Sequence, residues 1–84
     1  MENENLINVE FMDLGTGCIV SVELDSIMTC QEVIGELIAN SFISQFDGGY
    51  MLILKGKPLE NSQTLTDGGV KNNDLIHVRR VVYI

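Results

Sequence analysis

With 84 residues, of which 45% are apolar, the chain is long enough for one small hydrophobic core and too short for two. Its net charge of −7 makes nucleic acid a poor partner, because neutralisation of phosphate charge supplies most non-specific affinity for nucleic acids. One histidine and two cysteines do not provide the ligands of a structural zinc site, so no metal and no other cofactor is expected. The sequence predicts a single domain over residues 1–84, with residues 1–5 disordered.

The two halves of the chain differ in charge. Residues 1–49 contain nine acidic and no basic residues, whereas residues 50–84 contain all five basic residues and three acidic ones. The start of the sequence, MENENL, lacks the basic and apolar regions of a signal peptide, and no apolar run is long enough to cross a membrane. We therefore expect a cytoplasmic protein that does not insert into membranes and whose basic residues can meet an acidic protein.

The first two elements form a predicted β-hairpin. Residues 7–12, INVEFM, alternate between apolar and polar side chains, which is the period of a half-buried strand. The glycine-containing segment DLGTG follows, and residues 18–24, CIVSVEL, alternate again. The faces of this second strand are Val20, Val22 and Leu24 on one side and Ile19, Ser21 and Glu23 on the other.

The segment TCQEVIGELIANSF predicts an amphipathic helix. Thr29, followed three residues later by Glu32, forms a capping box, in which each side chain satisfies a free main-chain N–H group at the helix start. Gly35 lies inside this helix, where glycine costs about 1 kcal/mol relative to alanine, and close packing against a sheet would explain it. Three large apolar residues near the end of the segment either fold back to seal the core or present a second partner surface: Phe42, Ile43 and Phe46.

A short apolar strand, YMLIL at residues 50–54, precedes a polar arc that runs to Asn73, and LIHVRRVVYI closes the chain as a further alternating strand. This order predicts an α+β fold in which one helix covers one face of a mixed sheet, with the first and last strands parallel at its centre. The expected core residues are Ile7, Val9, Phe11, Val20, Val22, Leu24, Val33, Leu37, Leu52, Leu54, Leu59, Leu65, Ile76 and Val78.

Residues 52–78, LILKGKPLENSQTLTDGGVKNNDLIHV, resemble the second half of ubiquitin without a gap. The resemblance implies the ubiquitin-like β-grasp fold, a mixed sheet of four to five strands with one helix packed across one face. It makes Leu59 and Leu65 core residues of the arc, Gly56 the residue of a tight reversal, and Asp67 part of what holds a short helical turn. A phosphate-binding loop would need more glycines before its lysine and a serine or threonine after it, so the arc is expected to be structural.

Within the superfamily, residues 65–76, LTDGGVKNNDLI, resemble the YukD family of small ubiquitin-like proteins from bacterial type VII secretion loci. The resemblance implies a cytoplasmic accessory that acts without conjugation and binds other proteins, such as the cytoplasmic domains of membrane-anchored secretion components. Conjugated relatives end in two glycines, whereas this sequence ends in VRRVVYI, so conjugation is not expected. Two alternatives are a modifier processed from a longer precursor and a small β-grasp subunit of a larger complex, such as an oxygenase.

The open sheet face is the predicted partner-binding surface. The resemblance places Ile53, His77 and Leu14 at positions of ubiquitin's apolar patch, while Arg79 replaces a valine there. The predicted contacts are Met12, Leu14, Met51, Ile53, His77 and Arg79. No residue near His77 in the sequence would act as its catalytic partner, so neither catalysis nor a small-molecule substrate is expected.

Overall fold

The computed structural model describes residues 5–81 of the chain. Within them, five strands form one mixed sheet in the order β2-β1-β5-β3-β4. The central pair, β1 and β5, is parallel, and the other neighbouring pairs are antiparallel. The predicted element order and the parallel central pair are confirmed. The elements are β1 (Leu6–Asp13), β2 (Ile19–Asp25), α1 (Cys30–Ala39), β3 (Tyr50–Leu54), β4 (Lys57–Pro58) and β5 (Asp74–Arg80).

The predicted capping box begins α1. The Thr29 hydroxyl accepts a hydrogen bond from the Glu32 N–H group at 3.2 Å, and the Glu32 carboxylate accepts one from the Thr29 N–H group at 2.9 Å. The helix ends at Asn40, whose main-chain and side-chain N–H groups both donate to the carbonyl of Glu36. Local hydrogen bonds thus set both ends of the helix.

Gly35 does not pack against the sheet. It is exposed, and a Cβ atom added there would meet no other part of the chain within 4 Å. Of its two neighbours in the helix, Ile34 is buried and Glu36 is exposed. The close-packing explanation for this glycine is therefore wrong.

The arc between β3 and β5 is part of the scaffold. Its N–H groups at Leu65 and Thr66 donate to the carbonyls of Met28 and Ser26, and the Cys30 N–H group at the start of α1 donates to Gln63. Leu65 is fully buried, as the resemblance implied. At the tight turn between β3 and β4, both Lys55 (φ 52°) and Gly56 (φ 80°) have positive φ, as two-residue hairpin loops of type I′ require.

Asp67 helps to hold the helical turn in the arc through its main chain and not through its side chain. The N–H group of Asp67 donates to the hydroxyl of Thr64 at 3.0 Å, and the N–H group of Gly68 donates to the Thr64 carbonyl. The exposed carboxylate of Asp67 accepts no hydrogen bond within residues 5–81. The acceptor is the Thr64 hydroxyl, because a hydroxyl at the start of the turn can reach the free N–H group three residues later.

The core lies between α1 and the sheet. Of the expected core residues, Ile7, Val20 and Val22 are only half-buried and pack against its margin, whereas the others are buried. Phe42 and Phe46 also pack against the core, and Ile43 between them is buried, so this segment seals the core. The buried apolar residues are Val9, Phe11, Leu24, Cys30, Val33, Ile34, Leu37, Ile43, Tyr50, Leu52, Leu54, Leu59, Leu65, Val70, Ile76 and Val78.

The prediction of disorder at residues 1–5 falls mostly on residues 1–4, which lie outside the described residues. Asn5 is described, and its carbonyl accepts a hydrogen bond from the Ser26 N–H group at 2.8 Å. A search of residues 5–81 finds no helix with the length and hydropathy needed to span a membrane.

Candidate protein-binding surface

The side chains that alternate with the core residues along the strands form the sheet face opposite α1, which we call the open face. Successive residues of a strand point to opposite faces of the sheet. The residues that alternate with buried ones such as Val9 and Phe11 therefore point outward. The open face consists of Leu6, Asn8, Glu10 and Met12 of β1, Ile19, Ser21 and Glu23 of β2, Met51 and Ile53 of β3, Pro58 of β4, and Leu75, His77 and Arg79 of β5.

Strand register joins five of these side chains into a row across the whole sheet. Met12 pairs with Ile19 on one side and with His77 on the other. His77 pairs in turn with Ile53, and Ile53 pairs with Pro58. Because directly paired side chains lie about 5 Å apart, this central row is a continuous apolar band interrupted only by the imidazole.

A second row lies directly beside the first. The N–H group of Leu14 donates to the Val78 carbonyl at 3.0 Å, which extends the pairing of β1 with β5 and brings Leu14 beside Arg79. Arg79 pairs with Met51 on its other side. All six sequence-predicted contact residues therefore lie in two adjacent rows of one face, although they come from separate parts of the chain.

Two further residues of the central row were absent from the sequence-based set. Ile19 is 53% exposed, and Pro58 is also exposed. The alternation of β2 had placed Ile19 on the outward side, so a signal for it was present in the sequence. No such signal exists for Pro58, because its place in the row depends on the two-residue pairing of β4 with β3.

The charged groups of the open face are divided between its two sides. Arg79 is exposed, and its guanidinium has no hydrogen-bond or ion-pair partner within residues 5–81. Glu10 and Glu23 lie on β1 and β2. Arg80 points to the other side of the sheet, where its guanidinium lies 4.9 Å from the centre of the Phe46 ring. Arg79 is thus a cation of the second row that lies beside the apolar central row.

Within residues 5–81, no hydrogen bond or ion pair orients the imidazole of His77. Across the strands it is flanked by Met12 and Ile53, neither of which can orient the imidazole or accept a proton from it. Among the described residues, no three side chains of the metal-ligating types His, Cys, Asp and Glu come together. Cys18 is exposed, whereas Cys30 is buried, and burial raises the pKa of the Cys30 thiol and lowers its reactivity.

Comparison with known proteins identifies the fold. No family model matches the sequence, and no curated protein does. A de novo designed protein based on ubiquitin is similar with a TM-score of 0.80 at 13% identity, covering 98% of this chain and 96% of that one. The ubiquitin of Caldiarchaeum subterraneum is similar with a TM-score of 0.74 at 23% identity, covering 92% and 96%. The ubiquitin-like domain of yeast Ddi1 gives 0.74 at 22% identity, covering 99% and 98%.

These structures establish the ubiquitin-like β-grasp fold, so the predicted fold class is confirmed. The coverage of both partners in each comparison shows that one ubiquitin-like fold accounts for nearly all of the chain.

Proposed function

We propose that this ubiquitin-like domain is a non-catalytic protein-interaction module that binds another protein non-covalently through the open face. The observation that carries the proposal is the pair of adjacent rows, in which an apolar band crosses all five strands beside Arg79, whose guanidinium has no partner among residues 5–81. Apolar side chains at the centre of a contact and an arginine with free donors beside them are the composition that protein interfaces favour.

The dimensions of the central row limit the shape of the partner. It spans four inter-strand spacings of about 4.8 Å, or roughly 19 Å. An α-helix rises about 5.4 Å per turn, so a partner helix of roughly three to four turns would cover the row from Ile19 to Pro58. A stripe of apolar side chains on such a segment would bury the exposed part of Ile19 and Leu14, which are 53% and 47% exposed.

The charge bordering the row indicates what else the partner carries. A carboxylate facing Arg79 would accept two parallel hydrogen bonds from the guanidinium, a geometry that a lysine could not provide. We propose an acidic residue at the edge of the partner's apolar stripe. It would fix the direction in which the partner lies across the sheet.

We further propose that the partner belongs to a bacterial type VII secretion system and that this domain is a cytoplasmic accessory of it. The support is the resemblance of residues 65–76 to the YukD family. In the fold, this segment joins the arc to the central strands: the Asn72 side-chain carbonyl accepts from the Asn8 N–H group, and the Asn73 N–H group donates to the Asn8 carbonyl. The cytoplasmic domains of membrane-anchored secretion components are the partners to test first.

The test is a pull-down with the double variant Ile53→Asp, Arg79→Glu against the wild type. A matched control is Ile27→Asp with Lys71→Glu, which introduces the same change of charge at an exposed isoleucine and an exposed lysine outside the two rows. Each protein is used in native lysate, the captured proteins are washed in native buffer and then in denaturant, and both fractions are identified by mass spectrometry. Circular dichroism checks that each variant is folded.

The expected result is one or more proteins that the wild type and the control capture, that the open-face variant loses, and that denaturant releases. Secretion components among them would support the cytoplasmic accessory role. Adducts that survive denaturant would show a conjugated modifier instead. A partner retained at fixed stoichiometry by the open-face variant would show a subunit that uses another surface, and would overturn the assignment to the open face.

A further inference from the structure

The open face carries two methionines. Met12 lies in the central row and Met51 in the second row, and both are half-buried. Met28, the third methionine among residues 5–81, packs against the core instead. A thioether is one of the few side-chain groups that mild oxidants attack, and oxidation makes it polar. The neighbours of each sulfur therefore determine what its oxidation would change.

Met51 and Met12 differ in their neighbours. Met51 pairs directly with Arg79, whereas Met12 lies between Ile19 and His77. The Cβ atoms of directly paired residues are about 4.5–5.5 Å apart, so the long side chains of Met51 and Arg79 are within reach of each other. The Arg79 guanidinium has no partner within residues 5–81, and a thioether sulfur is only a weak acceptor for its N–H groups. The pair therefore lacks a strong hydrogen bond.

A small oxidant can reach Met51 from the solvent. Met51 lines a surface depression of about 140 Å³, to which Arg79 and Val81 also contribute. It lines a second depression of about 540 Å³ on the side of Pro58. A water molecule takes up about 30 Å³ in the liquid, and hydrogen peroxide is only slightly larger, so both depressions admit it. The contact of Met28 with the core closes one side of that residue instead.

We propose that Met51 is a redox modification site, at which hydrogen peroxide converts the thioether into a sulfoxide that accepts a hydrogen bond from Arg79. The sulfur lone pair attacks one peroxide oxygen, so an S–O bond forms and the O–O bond breaks. Sulfur is oxidised by two electrons, and the second oxygen leaves as water with both protons of the peroxide. The sulfoxide oxygen is a strong acceptor, and the strand register holds it beside the guanidinium.

The new hydrogen bond would compete with the partner of the open face. Under the proposed function, on which this step rests, Arg79 donates to a carboxylate at the edge of the partner's apolar stripe. Oxidation of Met51 gives the guanidinium an acceptor within the domain, and it also replaces an apolar side chain of the second row by a polar one. Both changes weaken binding. Methionine sulfoxide reductase would reverse them, because it restores the thioether.

The first experiment uses the full chain alone and needs no partner. Every protein carries Cys18→Ser, because Cys18 is exposed and peroxide also oxidises thiols. After addition of hydrogen peroxide, peptide mass spectrometry follows the gain of one oxygen at each methionine, and Met51 should be oxidised at least about fivefold faster than Met28. In NMR spectra, the Nε–H signal of Arg79 should then shift and exchange more slowly with water. The signal of Arg80, which lies on the other side of the sheet, should not change.

Three variants separate the contributions to partner binding, measured by titration of a protein captured through the open face. Met12→Leu keeps Met51 as the oxidisable residue of the two rows, and peroxide should weaken its binding about tenfold. Met12→Leu with Met51→Leu is the matched control, because leucine has nearly the volume of methionine and is not oxidised; peroxide should change its affinity less than about twofold. In Met12→Leu with Arg79→Gln, the peroxide effect should fall to about threefold or less, because no guanidinium is left for the sulfoxide to bind.

Three results would overturn the proposal. One is an unchanged Arg79 signal in a protein whose Met51 is fully oxidised and which circular dichroism shows to be folded. Another is oxidation of Met28 as fast as that of Met51, and the third is an equal effect of peroxide on binding with and without Met51. The first two are measured without a partner. They therefore decide the proposal even if no protein binds the open face, a result that would contradict the proposed function alone.

Discussion

The two glycines Gly35 and Gly48 allow a prediction in which the same added methyl group has opposite effects on stability. At Gly35, in the exposed part of α1, an added Cβ atom would lie in open space. At Gly48, it would overlap the main-chain carbonyl oxygen of Val81 and lie 2.9 Å from a carbon of the Phe46 ring. We therefore expect Gly35→Ala to stabilise the protein and Gly48→Ala to destabilise it.

The magnitudes follow from the two environments. In a helix interior, alanine is favoured over glycine by about 0.8–1 kcal/mol, because glycine loses more main-chain entropy on folding. Nothing at Gly35 offsets this gain. At Gly48 the obstacle is main chain, which cannot rotate away as a side chain would, so the end of β5 has to move at a cost of about 1–3 kcal/mol. A domain of this size has a total free energy of unfolding of roughly 4–13 kcal/mol, so both changes are measurable.

Urea unfolding followed by circular dichroism measures both effects, with thermal unfolding as a second probe. A change of 1 kcal/mol shifts the Tm of so small a domain by about 4–8 °C, so Gly35→Ala should raise the Tm by that amount. Gly48→Ala should lower it by at least about 4 °C. If Gly35→Ala lowers the stability, the glycine is needed in the helix for a reason other than packing, and the reasoning from open space is refuted.

Four further predictions concern the binding surface, the arc and the cysteines. Ile53→Ala should weaken partner binding by about 1–2 kcal/mol in a titration while leaving the Tm nearly unchanged; equal losses in both would show that Ile53 acts as a core residue. Leu65→Ala, at a fully buried position of the arc, should reduce the free energy of unfolding by about 2–5 kcal/mol in urea titrations, and a loss below about 1 kcal/mol would contradict a core role. In the folded protein an alkylating reagent should modify Cys18 and not Cys30, and rapid modification of both would contradict the burial of Cys30. Because burial raises the pKa of Cys30, the thiol of the unfolded chain ionises before that of the folded protein as the pH rises. The free energy of unfolding of the wild type should therefore fall above the ordinary thiol pKa, and that of Cys30→Ala should fall less. Urea unfolding at a series of pH values measures both.

Local interactions made the elements of this fold recognisable from the sequence. The capping box at Thr29 and Glu32 satisfies main-chain groups within one turn, so four residues suffice to recognise the start of α1. The alternation of apolar residues in β1 and β5 reports burial on one face directly. Even the arc, which has little regular structure, carries its leucines in a pattern that the resemblance to ubiquitin placed in the core.

The composition of the candidate site depended on contacts between distant parts of the chain. Alternation identified which side of each strand faces outward, but only the register of β1, β5 and β3 placed Met12, His77 and Ile53 in one row. Pro58 joined that row through the short strand β4, whose two residues carry no periodic signal. A shift of one residue in any pairing would have moved these side chains to the other face.

The exposure of Gly35 and the hydrogen bond between Thr64 and Asp67 in the arc were also decided by tertiary structure. Each depends on the distance and direction between groups that packing brings together, whereas the sequence reports only the order of residues and their tendency to be buried. The sequence by itself therefore determined which elements form and which of their faces are apolar. The register and packing of those elements determined which side chains share a surface, because hydrogen bonds between strands fix neighbours such as Met12 and His77, which lie more than sixty residues apart in the sequence.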